Sequence, residues 1–328
     1  MSSKRTKVYF TVDTETSMGG AWRNEGPPLA LDLPVYGRNG SHDYGVPLIM
    51  AILEEYGFRA TFFTEVFCSY FVGREPLKEL VQYIESRGHD VQLHLHPVYR
   101  FYHDFLEGKP RREQDLFFQF TKEEQFALIR EGVALFREIS GRTPRAFRAG
   151  CYGASEVTLA ALRENGVEID SSYNLAFLDQ TCGFQQRPLN SPQVLEGILE
   201  YPVTNFLSRG GYKGLEISAV SVWEILATIR ELRDSGCCDV VLVFHSFSFL
   251  KRRGVRFEKA RPDRIVINRF RKLCSELSRM SDEIEVSVMG EIESFHHRPA
   301  QDQVIPSLGW FHPAMRKAVQ GLDHVPWI

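Results

Sequence analysis

Asp13 and Glu15 stand two apart behind the apolar run 8–12, and His94 and His96 stand two apart in the alternating run 89–96. Residues two apart on a strand point the same way, so each pair can share a face. Two neutral imidazoles with one or two carboxylates suit Zn²⁺ or another divalent transition metal. Arg148, Asp170 and His245 each close a further short apolar run. Taken singly, every one of these has an ordinary explanation. His-x-His is commonly two polar residues, and Asp-x-Glu or Asp170-Ser171-Ser172 is commonly turn or N-cap chemistry. Arg148 could neutralise a buried carboxylate, and His245 could be a satisfied core histidine. Five strands ending in groups that are costly to bury unpaired predict a catalytic site instead.

The elements that must position these groups alternate between strand and helix. Residues 8–13 read as a buried strand. Pro47 opens a helix with Leu48, Ile49, Ile52, Leu53 and Tyr56 on one stripe, and Gly57 stops it. Strand 60–63 follows, then a helix opened by Pro76, then the alternating strand 89–96. Thr121-x-x-Glu124 and Ser221-x-x-Glu224 are capping boxes for two long helices. Short strands are expected at 146–149, 167–170, 199–203, 240–245 and 284–288, with helices starting near Ser155 and Asp263. Alternation of this kind implies a parallel sheet with helices outside, and seven or eight units imply a closed barrel. An open doubly wound sheet is the alternative, weakened by the absence of a Gly-x-Gly-x-x-Gly turn or a phosphate-binding loop. The expected organisation is one barrel domain over 1–295 and a tail over 296–328. The tail's Trp310, Phe311, Pro313 and Trp327 are too apolar for a free arm and predict packing on the barrel or on a second subunit.

Composition narrows the function classes. A net charge of −3 from 39 basic and 42 acidic residues gives no nucleic-acid signature. No run approaches the ~20 apolar residues of a membrane span. The six cysteines form no Cys-x-x-Cys pair, which argues against a disulfide framework or a thiolate zinc site. The short apolar stretch after the N-terminus is too brief for a signal-peptide core. The expected address is cytoplasmic.

Five segments in order are similar to the polysaccharide deacetylase (NodB-homology) superfamily over about residues 7–290. They are Thr11-Val12-Asp13-Thr14-Glu15, Arg59-Ala60-Thr61-Phe62-Phe63, Gly88 through Pro97, Phe147 through Gly153, and Val241 through Phe247. The resemblance implies a distorted (β/α) barrel and metal-dependent hydrolysis of an amide on an N-acylated sugar. It places the base on Asp13, the arginine that orients the base on Arg148, and the general acid on His245. The family's second aspartate is replaced by Thr14, which makes Glu15 the candidate metal ligand. The family's two histidines stand four apart, whereas here they stand two apart; His94 matches, and His96 is inferred from its shared face. The oxyanion donor is expected from a backbone N–H near Tyr152 or Gly153, and the metal is expected to be Zn²⁺.

The substrate is less legible. Long connections over 16–46 and 98–120 leave the first and third strands, the second holding Tyr99, Phe101, Tyr102, Phe105, Phe117, Phe118 and Phe120. Aromatic faces can stack on sugars, but packing of the loop onto the barrel is the ordinary expectation. Of the remaining histidines, His42 and His103 lie on these connections and are the ones expected to approach the site. Lys251-Arg252-Arg253 could meet a phosphate or an acidic sugar, although such a run is more often a solvated loop. A cytoplasmic enzyme would suit a soluble, nucleotide-linked or lipid-linked precursor of a surface polysaccharide. Two other readings stand beside this one: a hydrolase of a non-sugar amide or N-formyl group, with or without metal, and a non-enzymatic glycan-binding module.

Overall fold

A computed structural model describes residues 5–293 and 302–308. Its main sheet has nine strands: β1 (Thr6–Thr14), β2 (Thr61–Glu65), β3 (Asp90–Leu95), β4 (Ala146–Ala149), β5 (Ile169–Asp170), β6 (Gln193–Leu195), β7 (Ile198–Glu200), β8 (Asp239–His245) and β9 (Ile284–Ser287). The order is β8-β1-β2-β3-β4-β5-β7-β6, every pairing being parallel except β7 with β6. The distortion lies at β1, whose first half pairs with β9 and whose second half pairs with β2. Beyond β7 the chain returns to the far edge of β8, where Ile217 N–H donates to Val243 O at 3.1 Å and Val243 N–H donates to Leu215 O at 2.9 Å. The sheet thereby curls into the distorted (β/α) barrel expected from the sequence.

Helices α1 (Val46–Glu54), α2 (Arg74–Ser86), α3 (Pro97–Leu106), α4 (Lys122–Ser140), α5 (Glu156–Glu164), α6 (Val222–Asp234) and α7 (Arg264–Ser278) cover the outside. Both capping boxes form as the spacing predicts, with Thr121 and Ser221 each accepting from, and receiving, their glutamate partner. Asp263 caps α7 through the N–H groups of Ile265 and Val266. Helix α3 departs from the sequence expectation: its aromatic residues are weak helix formers, and the segment reads as loop from sequence. The packing expectation for that connection holds for Tyr99, Phe101, Phe117 and Phe120, which are buried, whereas Phe105 and Phe118 are exposed.

Strand alternation divides the core in two. Val8, Phe10, Val12, Val240, Leu242 and Phe244 join the large cluster under the helices. Tyr9, Phe63, Ala146, Ile169, Val241 and Val243 form a second cluster inside the barrel. Counting on in twos from the inner set reaches Asp13 from Tyr9, Glu65 from Phe63, Arg148 from Ala146 and His245 from Val243. The pleat that fills the barrel therefore also delivers charged groups to its C-terminal end, where a parallel barrel does its chemistry.

Residues 302–308 lie along the barrel flank: Leu207 N–H donates to Pro306 O at 2.7 Å, and Asn190 Nδ2 donates to Val304 O at 2.7 Å. Trp310, Phe311, Pro313 and Trp327, and the expected boundary near 295, fall outside the described residues. No helix among the described residues is long and apolar enough to cross a membrane. All six cysteines are free thiols.

Candidate active site and metal centre

Glu15 is the hub. Its Oε2 lies 2.5 Å from His96 Nε2 and 3.3 Å from His94 Nε2, and its Oε1 lies 3.9 Å from His245 Nε2. The far nitrogen of each of these two histidines is anchored. His94 Nδ1 donates to Arg148 O at 2.8 Å, and since a carbonyl can only accept, the proton of a neutral ring sits on Nδ1 and the Nε2 lone pair faces Glu15. His96 Nδ1 meets Asp115 Oδ2 at 2.5 Å, while Asp115 Oδ1 accepts the Val98 N–H at 3.0 Å. One donor atom from each of Glu15, His94 and His96 lies within 4.8 Å of the others. Two imidazole lone pairs aimed at a carboxylate repel unless a proton or a cation lies between them. The set thus fits a divalent metal, with the oriented second nitrogens usual for metal-bound histidine.

Burial pushes the Glu15 carboxyl up, but His96, His94 and His245 outweigh it and hold it well below the usual carboxylate range. Burial opposes a charge on His96, yet Asp115 and Glu15 raise it well above the ordinary imidazole range.

Arg148 lies wholly inside the barrel and organises the neighbouring acid. Its Nη1 donates to Asp13 Oδ1 at 2.8 Å and to Thr11 Oγ1 at 2.9 Å; Nε and Nη2 donate to Ser171 O and Oγ, both at 2.9 Å. The guanidinium also stacks on Phe63, 4.5 Å from the ring centre. Parallel register sets Asp13 beside His245, and His94 beside both Glu65 and Arg148. The His245 ring stacks on Phe247 with centroids 5.0 Å apart, and the backbone N–H of His245 donates to Ser248 Oγ at 2.9 Å.

The turn after β4 closes the site. Cys151 and Tyr152 both adopt left-handed φ, 53° and 61°, a conformation that costs non-glycine residues about 1–3 kcal/mol. A Cβ on Gly150 would lie 2.4 Å from His96 Nδ1, so glycine is what lets the imidazole in. The Tyr152 ring stacks on Phe177 at 5.3 Å. Gly153 does not offer a free donor, because its N–H closes the turn onto Gly150 O at 2.9 Å. Of the two backbone donors expected here, only that of Tyr152 stays a candidate.

Asp170, expected among the strand-end groups, lies elsewhere. Ile169 faces the barrel interior, so the next residue faces out, and Asp170 accepts from Ser172 while lying in register with Glu200. Burial and that neighbour raise the Glu200 carboxyl well above its ordinary range. His42 is exposed on a short hairpin and His103 stacks on Tyr70, so neither joins the cluster.

Two residues of the site carried no sequence signal. Asp115 comes from the loop after α3, nineteen positions from His96. Glu65 is fully buried at the end of β2 and accepts the N–H groups of Phe67 and Cys68 at 2.8 and 2.6 Å, with that of His96 at 3.4 Å. Asp115→Ala should lower metal affinity about 10–100-fold by freeing the His96 ring. Competition against a chromogenic chelator measures this, and unchanged affinity would show that Asp115 does not position the ligand.

No protein-family model and no curated protein matches the chain. Solved structures do. A Mycobacterium smegmatis protein assigned as a polysaccharide deacetylase matches with TM-score 0.54 and 18% identity, covering 91% of this chain and 96% of its own. A family 4 carbohydrate esterase from Streptomyces lividans matches with TM-score 0.41 and 12% identity, over 86% of this chain and 92% of its own. A 4-alpha-glucanotransferase from Thermococcus litoralis matches with TM-score 0.52 and 14% identity, over 88% of this chain but 40% of its own. A barrel found in both a deacetylase-like protein and a glucanotransferase leaves the reaction to be argued from the site. What brings Asp13, Glu15, His94, His96, Arg148 and His245 to one end of the barrel is the polysaccharide deacetylase fold.

Proposed function

We propose that this chain is a metal-dependent hydrolase that removes an acyl group, N-acetyl foremost, from an amino sugar. The observation that carries the reading is the pair of anchored imidazoles aimed at Glu15, beside an acid held by Arg148 and a second histidine. Glu15, His94 and His96 would hold the metal, Zn²⁺ being the best match to this donor set. When bound, such an ion lowers the pKa of water and polarises an acyl oxygen.

The chain's own groups supply the rest. Asp13, fixed by the Arg148 fork, takes the proton of the attacking water. The Tyr152 N–H is the proposed donor to the oxygen that gains charge as the carbonyl carbon becomes tetrahedral. His245 passes a proton to the nitrogen as the C–N bond breaks, since an unprotonated amine is a very poor leaving group. The products are a carboxylate and a free amino sugar. The proposed setting is cytoplasmic, and there a soluble, nucleotide-linked or lipid-linked precursor of a surface polysaccharide is the better substrate than finished wall.

The test is direct. Zinc-loaded protein is incubated with N-acetyl and N-formyl amino sugars, and released acid and free amine are both quantified. Equal amounts of the two, lost on chelation and regained with zinc, are expected. Activity on polymeric wall alone would overturn the precursor assignment, and acyl release untouched by chelation would overturn the metal assignment.

A further inference from the structure

The segment that follows His245 takes no part in the proposed hydrolysis. It forms a hairpin, Leu250–Arg253 against Glu258–Pro262, and residues 250–262 hold six cations, Lys251, Arg252, Arg253, Arg256, Lys259 and Arg261, against Glu258 alone. A chain whose net charge is −3 thus places a basic flap beside its candidate acid. The flap is fixed in place: Arg256 Nη1 donates to Gly19 O at 2.8 Å, tying it to the loop that follows Glu15.

Arg252 differs from an ordinary surface cation. Its guanidinium lies over two rings at once, 4.6 Å from the centre of Phe247 and 4.4 Å from that of Phe257. Phe247 is also the ring on which His245 stacks. Aromatic stacking orients the guanidinium and leaves its N–H groups for a ligand. Among the described residues Arg252 has no hydrogen bond and no ion pair. It lines a cleft of about 500 Å³ together with Glu15, His245, Phe247 and Glu216. The carboxylates in that cleft are engaged: Asp263 caps α7, Glu216 accepts from Ser218, and Glu15 faces the histidines.

We propose that Arg252 is the anion-recognising residue of the substrate cleft, and that the acylated sugar carries a phosphate ester or a carboxylate. A planar fork fits either group bidentately. The inference rests on the acyl-sugar hydrolase reading, and the experiment separates the two.

Zinc-loaded full-length protein and its Arg252→Ala and Arg252→Lys variants are titrated calorimetrically with N-acetylglucosamine, N-acetylglucosamine 1-phosphate and N-acetylglucosaminuronate. Acyl release from each is measured in parallel. Charged hydrogen bonds of this kind predict an about 10–100-fold loss of affinity for an anionic sugar in Arg252→Ala, a smaller loss in Arg252→Lys, and no change for the neutral sugar. Which anionic probe depends on Arg252 distinguishes phosphate from carboxylate. Absence of Arg252-dependent binding for both anionic probes overturns the proposal. Equal kcat/KM on neutral and anionic sugars in parent and variants discards the anion site and keeps the hydrolase. Arg252-dependent binding with no acyl release from any probe keeps the anion site and discards the hydrolase.

Discussion

Arg148→Met is expected to destabilise the protein by about 3–5 kcal/mol, because it leaves a buried carboxylate without its cation. Asp13 sits beside that cation at the end of the barrel interior, almost wholly buried, so the guanidinium's hydrogen bonds are poorly replaced. Thr11 Oγ1 and Ser171 O lose a donor at the same time. Arg148→Lys keeps the charge but not the fork that spans Asp13, Thr11 and Ser171, so its loss should be smaller while turnover still falls. Denaturant midpoints for the parent and both variants check this order. A loss below about 1 kcal/mol for Arg148→Met would mean that the pair stabilises neither fold nor site.

The second large effect is on chemistry. Asp13→Asn and His245→Ala should each lower turnover about 10²–10⁴-fold, the usual contribution of a positioned base or acid. Asparagine can still accept from Arg148 through its amide oxygen, so Asp13→Asn tests the proton transfer with limited disturbance of the scaffold. Neither residue belongs to the proposed ligand set, so bound metal should be unchanged in both variants. Turnover near that of the parent in either one would remove that residue from its role.

Much of this was readable from residue types and spacing. The resemblance pairs Arg148 with Asp13, and in the folded chain Arg148 Nη1 donates to Asp13 Oδ1 at 2.8 Å. Both capping boxes were legible because they are local, depending on residues three apart. Pairing His94 with His96 needed only the alternation of β3, and both nitrogens reach Glu15.

What escaped was what depends on distant chain or on phase. Phase decides Asp170, which ends a strand as the site groups do: β5 presents Ile169 inward and Asp170 outward, where it accepts from Ser172 in the turn that Asp170-Ser171-Ser172 ordinarily signals. Asp115 reaches His96 from a loop whose course depends on α3, and no local signal marks it among the nearby acids. Glu65 follows an ordinary strand and is distinguished only by the N–H groups that converge on it. Arg252 reads as one member of a solvated run of three; its two stacking rings, five residues before it and five after, set it apart.

The most direct test of the central claim is elemental analysis of the protein as purified, alongside a His94→Ala/His96→Ala double variant. About one equivalent of a transition metal in the parent and little in the variant is the predicted result. Equal metal in both, or none in the parent even after reconstitution with zinc, would contradict the metal centre and the role of Glu15 with it.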